Sequence, residues 1–404
     1  MNRYLLILLI AGITTSSFSQ TADNVNGQLT IGRVDSLYSE ELKEQRTFWV
    51  YLPQGAADTT KSFPVLYLLD GDAHFYSVAG MMRQLGEANG NSIVPESIVV
   101  AILNTNRTRD LTPSAVSYMP NSGGADQFTA FMEQELMPYI EQKYRSTSYR
   151  TLVGHSWGGL FTLHTLLNHS ELFDNYISID PTIRWNGLQF LEKAKNRLNE
   201  QGLGGKTLFL GVANRLPEGL SLNTVERDTN RNSEHIRKML ELTEAAQASK
   251  GLNFGWKFYP DDNHMGVPLI AAYDGLRFLF PWYRFDEEII FDQENPMEAK
   301  AFIALVKAHF ANISDRFGYQ VVPDERLVDR LGDASLSVRD MDKAYALFQL
   351  NIMNYPHSPY VFEALGDFYR RSGETEKAIE QYKTALQKGE TARVKRKLDR
   401  LTGR

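Results

Sequence analysis

The sequence has no cysteine among its 404 residues, and this absence excludes several kinds of chemistry. Without a thiol there is no disulfide, no thiolate nucleophile, no thiolate metal ligand and no lipid-modified cysteine anchor. The fold must therefore be held together by packing, and 43% hydrophobic residues are enough for a large core. The length predicts one large domain with a smaller satellite.

An excess of basic residues is also missing. Lys and Arg number 43 against 49 Asp and Glu, which gives a formal net charge of −6. Apart from the last dozen positions, the basic residues form no block. The sequence therefore predicts no nucleic-acid partner, because such partners require a basic surface.

Apolar runs long enough to cross a bilayer are missing as well. The apolar run 4–13 follows Arg3 and is too short to span a membrane. Ser17 and Ser19 supply small residues at a cleavage point, so segment 1–19 is predicted to be a signal peptide, with an N-terminal membrane anchor as the alternative. We therefore expect a periplasmic or secreted protein with no membrane span after cleavage.

The middle of the chain alternates short apolar runs with helical patterns. The runs read as strands because most are continuously apolar, as strands buried in a parallel sheet are. They cover residues 46–53, 63–71, 97–104, 151–156, 176–181, 207–214 and 254–260. The segments Asp126–Tyr144 and Asn232–Lys250 between them read as helices. This alternation predicts an α/β sheet, with an antiparallel hairpin near 28–53 at one edge.

After about residue 286 the strand patterns stop and the chain reads as helices. We therefore predict an α/β domain over 20–286 and a helical domain over 287–404. Leu-Gly, Ala and aromatic positions recur there with a separation of 34 residues, the period of the tetratricopeptide repeat. The pairs are Gly332 with Gly366, Ala344 with Ala378, and Phe348 with Tyr382. Two such repeats are predicted, 325–358 and 359–392, with a plain pair of helical hairpins as the alternative.

The stretch Gly154-His155-Ser156-Trp157-Gly158 carries the strongest functional signal. It is a G-x-S-x-G pattern that follows an apolar strand and precedes an apolar helix. In that context the pattern is a nucleophile elbow, in which the glycines allow a sharp turn that exposes the serine hydroxyl. Ser156 is therefore the predicted nucleophile. A tight turn with an incidental serine is the alternative.

A serine hydroxyl needs a neighbouring base, and in this fold the chain order is serine, acid, histidine. Among eight histidines, His264 lies in a turn-rich loop after the last strand, where that base belongs. His164 and His169 lie on or after the helix that follows Ser156 and are predicted to be surface or packing residues. His264 is therefore the predicted base.

The acid is less well defined by the sequence. The loop between the strand 207–214 and the next helix offers Glu218, Glu226 and Asp228. Asp228 is the predicted acid and Glu226 the alternative. Asp180 comes one strand earlier than the usual arrangement places an acid. A Ser–His dyad without a third member is also open.

A tetrahedral oxyanion needs two backbone N–H donors. Trp157, directly after the serine, is predicted to supply one, and Asp72 in the loop after strand 63–71 the other. That loop's Asp-Gly-Asp could instead be a plain turn or a cation site. We expect no metal and no cofactor, because serine chemistry requires neither.

Four stretches of the chain carry a family resemblance. They are YLLDGDAHF, NTNRTRDLTP, the run from Gly154 to Pro181, and YPDDNHMGVP with the residues that follow it. They resemble the "Putative esterase" family of α/β-hydrolases, which includes enterochelin esterases, feruloyl esterases, S-formylglutathione hydrolase and mycolyltransferases. The likeness covers about residues 28–285 and is greatest toward the periplasmic siderophore-esterase branch.

The resemblance implies hydrolysis of a carboxylic ester through an acyl-serine, with a siderophore ester as one candidate substrate. Siderophore esterases use basic residues to bind anionic catecholates, and this chain offers only Arg107, Arg109 and Arg184 as obvious candidates. Arg107 and Asp110 could shape the site, or they could equally form an internal salt bridge. Two other functions stay open: an acyltransferase with the same triad, and a silent hydrolase-like domain whose helical repeats bind a protein partner.

Overall fold

The computed structural model describes residues 29–57, 61–88, 91–200, 202–231, 233–292, 294–389 and 391–403. The chain divides into two compact units, the first ending at Pro281 and the second beginning at Trp282. The predicted signal peptide, 1–19, lies outside the described residues. In the described part of the chain, no helix combines the length and the apolar character that a membrane crossing requires.

The first unit is built on one eight-stranded sheet. Its strands are β1 (Arg33–Ser39), β2 (Glu44–Tyr51), β3 (Phe63–Leu68), β4 (Ile98–Ile102), β5 (Ser146–His155), β6 (Asn175–Ile179), β7 (Thr207–Ala213) and β8 (Asn253–Tyr259). Their order across the sheet is β1-β2-β4-β3-β5-β6-β7-β8. From β4 to β8 every neighbouring pair is parallel. The predicted α/β fold is confirmed.

Burial explains this arrangement of strands. Every residue of β3, β4, β6 and β7 is buried, as expected for parallel strands covered by helices on both faces. β1 instead alternates between half-buried and exposed residues, and it pairs antiparallel with β2 from Arg33 opposite Val50 to Ser39 opposite Glu44. The predicted edge hairpin is thus confirmed.

Helices of the first unit connect and cover the strands. They are α1 (Gly71–Gly86), α2 (Arg107–Asp110), α3 (Ala125–Phe131), α4 (Met137–Lys143), α5 (Trp157–Asn168), α6 (Gln189–Asn199), α7 (Leu222–Val225), α8 (Glu234–Ala248) and α9 (Val267–Leu279). A π-helical stretch, Met132–Leu136, joins α3 to α4. Ten of the twelve residues of α5 are buried, so this helix packs directly on the sheet.

The polar and ionisable residues that could carry chemistry lie at the carboxyl-terminal end of the parallel strands. The carboxyl ends of adjacent parallel strands meet there, and β3, β5, β6, β7 and β8 lie side by side. Asp70, Ser156, Asp180, Arg215 and His264 each follow one of these strands within a few residues. Ligands of open α/β sheets bind at this edge.

The second unit is helical in its described part. After a 3₁₀ turn at Glu287–Phe291 come α10 (Ala299–Phe317), α11 (Glu325–Ser337), α12 (Met341–Asn354), α13 (Pro359–Arg371), α14 (Thr375–Lys388) and α15 (Ala392–Thr402). The pair α13–α14 repeats the pair α11–α12 with a shift of 34 residues at every helix end.

Packing within the two helical pairs repeats as well. A Cβ added to Gly332 would lie 2.6 Å from the ring of Phe348, and one added to Gly366 would lie 2.6 Å from the ring of Tyr382. Glycine therefore allows the first helix of each pair to approach an aromatic ring of the second. The assignment to the tetratricopeptide family, and a protein partner for these helices, stay predictions.

Candidate active site

Ser156 lies at a sharp turn between β5 and α5. Its backbone has φ 60° and ψ −113°, a conformation that a non-glycine residue adopts only when the surrounding structure imposes it. Gly154 makes the turn possible, because a Cβ there would come within 2.2 Å of the carbonyl oxygen of Gly158. A Cβ on Gly159 would lie 2.9 Å from the carbonyl oxygen of Ile179. This is the geometry of a nucleophile elbow.

His264 lies next to the Ser156 hydroxyl, although 108 residues separate the two in sequence. The distance from His264 Nε2 to Ser156 Oγ is 3.1 Å. The opposite ring nitrogen, Nδ1, lies 2.5 Å from Asp180 Oδ2. With its proton on Nδ1, His264 donates to Asp180 and leaves Nε2 free to accept the serine proton.

The carboxylate that faces His264 is Asp180, and this corrects the sequence-based choice of Asp228. Asp228 accepts hydrogen bonds from Ser233 Oγ at 2.5 Å and from the Asn230 N–H at 3.2 Å. His264 Nε2 contacts Ser156, and His264 Nδ1 contacts Asp180 and Arg215. The chain-order argument placed the acid after β7, whereas in the structure the turn after β6 reaches the histidine.

The other carboxylates of that loop do not replace Asp228. Glu218 and Glu226 are exposed, and Glu226 caps the carboxyl end of the short helix α7. The alternative of a dyad without a third member also does not describe this geometry, because Asp180 is in hydrogen-bond contact with His264.

Asp180 is completely buried and held from several sides. Oδ2 accepts from His264 and, at 2.8 Å, from Arg215 Nε, while Oδ1 lies 3.3 Å from both His235 Nε2 and the Ala213 N–H. Burial alone would raise the pKa of Asp180, but the hydrogen bonds from the two histidines and the charge of Arg215 hold it well below its usual value. The carboxylate therefore stays ionised.

The turn after β3 lies against the first turn of α5. A Cβ on Gly158 would lie 3.1 Å from Asp70 Oδ2, and Asp70 itself has a left-handed backbone, with φ 52°. Asp72 and Trp157, the predicted oxyanion donors, lie in the first turns of α1 and α5. First-turn N–H groups have no intrahelical acceptor, so both remain available to a ligand.

The Arg107 side chain binds the turn after β3. Its Nε and Nη2 donate to the two oxygens of Asp70 at 2.6 and 2.9 Å, and its guanidinium lies 5.1 Å from the centre of the Trp157 ring. Burial would raise the pKa of Asp70, but the hydrogen bonds and charge of Arg107 lower it instead. Arg107 therefore fixes the turn that carries Asp72.

Arg109 also pairs inside the protein. It contacts Glu44 Oε1 at 2.6 Å and Asp110 Oδ1 at 2.7 Å, and Asp110 in turn accepts from the buried Arg46. Arg107 and Asp110 therefore both form internal ion pairs, although not with each other. Through these ion pairs the guanidinium groups of Arg107 and Arg109 anchor α2.

His155 packs against the ring of His264, with 4.5 Å between the ring centroids. It is buried, and within the described part of the chain its Nε2 has no hydrogen-bond partner. Burial, together with the neighbouring His264 and His74, lowers the pKa of His155 to about 4. His155 is therefore neutral, and its ring packs against His264.

We expect His155 to make the protein sensitive to acid. The unfolded chain takes up a proton on histidine near pH 6.5, whereas folded His155 stays neutral until about pH 4. The folded state should therefore lose stability as the pH falls from about 6.5 towards 4, by up to about 3 kcal/mol. His155→Phe should flatten this slope in urea unfolding measured across that range, while the exposed-site control His357→Gln should not. An unchanged slope in His155→Phe would contradict the assignment.

A pocket of about 240 Å³ is lined by Thr182, Arg184, Arg215 and His235. It lies beside the Ser156 hydroxyl, because Thr182 Oγ1 is 3.4 Å from Ser156 Oγ. Three of its four lining residues are arginine or histidine.

Each arginine of the pocket has one carboxylate partner. Arg184 contacts Glu234 at 2.6 Å, and Arg215 contacts Asp180 at 2.7 Å. Their side chains nevertheless remain 42% and 33% exposed, so both can bind a further anion. The sequence had singled out Arg184, but it did not identify Arg215 or His235. One signal was available for Arg215, which lies two residues beyond the end of a buried strand.

Comparisons with known proteins agree with this geometry. Residues 39–199 match the model of the family described as "Putative esterase". The ferri-bacillibactin esterase BesA of Bacillus subtilis is 28% identical over 284 residues, which are 64% of this chain and 95% of that protein. The siderophore enterobactin esterase of Emericella nidulans is 31% identical over 163 residues, 35% of this chain and 54% of that protein.

A solved structure extends the similarity to three dimensions. The IroE-like serine hydrolase of Shewanella oneidensis is 30% identical and superimposes with a TM-score of 0.65. The match covers 79% of this chain and 98% of that one. Together with the eight-stranded sheet and the serine at its elbow, these matches show that the chain belongs to the "Putative esterase" family of α/β-hydrolases and is a carboxylic-ester hydrolase.

Proposed function

We propose that the protein hydrolyses its ester through an acyl-serine intermediate, with Ser156, His264 and Asp180 as the catalytic triad. The observation that carries this proposal is the continuous contact from Ser156 Oγ to His264 Nε2 and from His264 Nδ1 to Asp180. Ser156 Oγ attacks the ester carbonyl carbon while its proton passes to His264 Nε2. Asp180 stabilises the imidazolium that results.

The remaining steps use the same groups. The tetrahedral oxyanion accepts hydrogen bonds from the backbone N–H groups of Trp157 and Asp72. When the carbon–oxygen bond to the alcohol breaks, His264 returns its proton to the departing alkoxide. His264 then deprotonates a water that attacks the acyl-serine, and Ser156 regains its proton as the carboxylic acid leaves.

We propose further that the substrate is an anionic ester, with a ferric catecholate siderophore as the leading candidate. The pocket beside Ser156 is rich in Arg and His side chains, which suits anionic oxygens. Two relatives are esterases of siderophores by name. The predicted leader at 1–19 supports a periplasmic or secreted location, where iron chelates are encountered.

The substrate proposal predicts opposite effects for two partners of one ion pair. Arg184→Gln should raise KM for a ferric triscatecholate trilactone by about tenfold, the loss expected for one charge-assisted hydrogen bond. Glu234→Gln should lower that KM, because it leaves the charge of Arg184 uncompensated. KM for a neutral p-nitrophenyl ester should hardly change in either variant.

Arg197 supplies the matched control for this measurement, because it is a half-buried arginine on α6 that pairs with Glu200 at 2.6 Å and does not line the pocket. Arg197→Gln should leave both KM values at the wild-type level. Equal changes for the anionic and the neutral ester would contradict an anionic substrate, and so would a wild-type enzyme that hydrolyses only neutral esters.

A further inference from the structure

Asp126, His164 and His169 form a second cluster of chemically capable side chains, outside the catalytic site. Asp126 is in the first turn of α3, His164 is in α5, and His169 directly follows α5. One ligand atom from each lies within 4.8 Å of the others. His164 lies eight residues beyond Ser156, which along a helix corresponds to about 12 Å.

Both imidazoles present the same nitrogen to one carboxylate oxygen. His164 Nε2 lies 2.7 Å and His169 Nε2 3.4 Å from Asp126 Oδ1. We propose that these three residues bind a divalent transition-metal ion of the zinc class. The sequence suggested only surface or packing roles for these histidines, and it pointed to no metal.

The donor set and its spacing fit such an ion. Zinc takes imidazole nitrogen and carboxylate oxygen at about 2.0–2.1 Å, which places tetrahedral ligand atoms about 3.3 Å apart. The His169–Asp126 distance of 3.4 Å is already at this value, and the His164–Asp126 distance requires an opening of about half an ångström. The Asp126 side chain is 71% exposed, so water can complete the coordination.

The surroundings of His164 prepare it for this role. Its side chain is only 8% exposed, so the protein around it restrains the ring. The side-chain amide of Asn168 lies 3.1 Å from His164 Nδ1 and helps to fix the ring in place.

A metal ion here would link α3 to the carboxyl end of α5. α5 begins at Trp157, directly after Ser156, so the link would support the helix whose first turn faces the substrate. The role is structural, because none of the three ligands belongs to the catalytic contacts.

The test is a zinc titration of the full chain. Protein stripped with a chelator is titrated with zinc chloride in competition with a chromophoric chelator, and the melting temperature is recorded with and without zinc. Wild type should bind one zinc ion per chain more tightly than any further zinc ion. Binding of that first ion should raise the melting temperature. Asp126→Asn and His169→Gln should each weaken binding by at least about tenfold and abolish the thermal shift.

Two control variants identify the site. His357→Gln removes an exposed histidine of the second unit, and His264→Gln removes the histidine beside Ser156. Both should bind zinc as wild type does. Asp126 and His169 are exposed or half-buried, so their variants should fold. If wild type does not bind zinc stoichiometrically, the proposal is overturned, and the three residues form only ordinary hydrogen bonds. Unchanged zinc binding in both Asp126→Asn and His169→Gln would also overturn it.

Discussion

Ser156→Ala is expected to lower kcat for ester hydrolysis by at least about 10⁴-fold while leaving the fold intact, because no other group can form the acyl-enzyme. His264→Ala should cost a similar factor, since Ser156 Oγ then has no base within 3.1 Å. The double variant should be no slower than the slower single variant, because members of one catalytic unit lose their effect together.

Covalent labelling supplies a second measurement of the same assignment. A fluorophosphonate probe should label wild type at one residue per chain and should not label Ser156→Ala. Ser170→Ala, which removes a serine beyond the other end of α5, should keep both labelling and activity. Substantial activity in Ser156→Ala, or losses that multiply in the double variant, would exclude Ser156 and His264 as nucleophile and base.

The sequence was sufficient for the fold because the signals are local. Continuous apolar runs of five to eight residues mark strands that are covered on both faces, and the observed β3, β4, β6 and β7 are buried throughout. The edge hairpin and the helical second unit were recognisable for the same reason. Strand ends shifted by a few residues, because pairing partners decide where a strand stops.

The sequence singled out Ser156 and His264 for a different reason. The glycines around Ser156 are required by close backbone approaches, such as the 2.2 Å that would separate a Gly154 Cβ from the Gly158 oxygen. Because only glycine fits at such positions, the constraint can be recognised from the sequence. His264 was identifiable by its position, because it lies in a turn-rich loop directly after the last strand of the sheet.

The acid could not be located in this way. Any of several loop carboxylates satisfies the rule of chain order, and reach depends on the turn after each strand. Asp180 has φ 39°, a left-handed turn directly after β6 that directs the chain back over the sheet edge. No property of its immediate neighbours in sequence requires that conformation. The sequence did not identify Arg215 and His235, because both were selected only by their contacts with Asp180 in the folded structure.

The repetition of helices in the second unit could be predicted in part from the sequence. Equal spacings of 34 residues predicted paired helices, and the helix ends repeat with that spacing. The sequence did not suggest the carboxylate at Glu363, which is 3% exposed and pairs with Arg393 and Lys397 of α15. Interactions of this kind join segments that only the fold brings together.

Asp180→Asn is expected to lower kcat by about 10²- to 10⁴-fold, with a smaller effect on KM. The amide keeps the shape of the carboxylate but cannot stabilise the imidazolium, and it can hold His264 in the wrong tautomer. Asp228→Asn is the matched control, because Asp228 binds Ser233 and Asn230 instead of His264. It should keep wild-type kcat on the same ester.

A structural role of Asp180 must be separated from a catalytic one, because Asp180 also binds Arg215 and His235. The double variant Asp180→Asn with His264→Ala makes this distinction. If Asp180 acts through His264, the double variant should be no slower than His264→Ala alone, since without the imidazole the carboxylate has nothing to orient. If Asp180 only supports the fold, its loss should multiply with that of His264 and should lower the melting temperature in proportion. A collapse of activity in Asp228→Asn with wild-type kcat in Asp180→Asn would return the acid to the loop after β7.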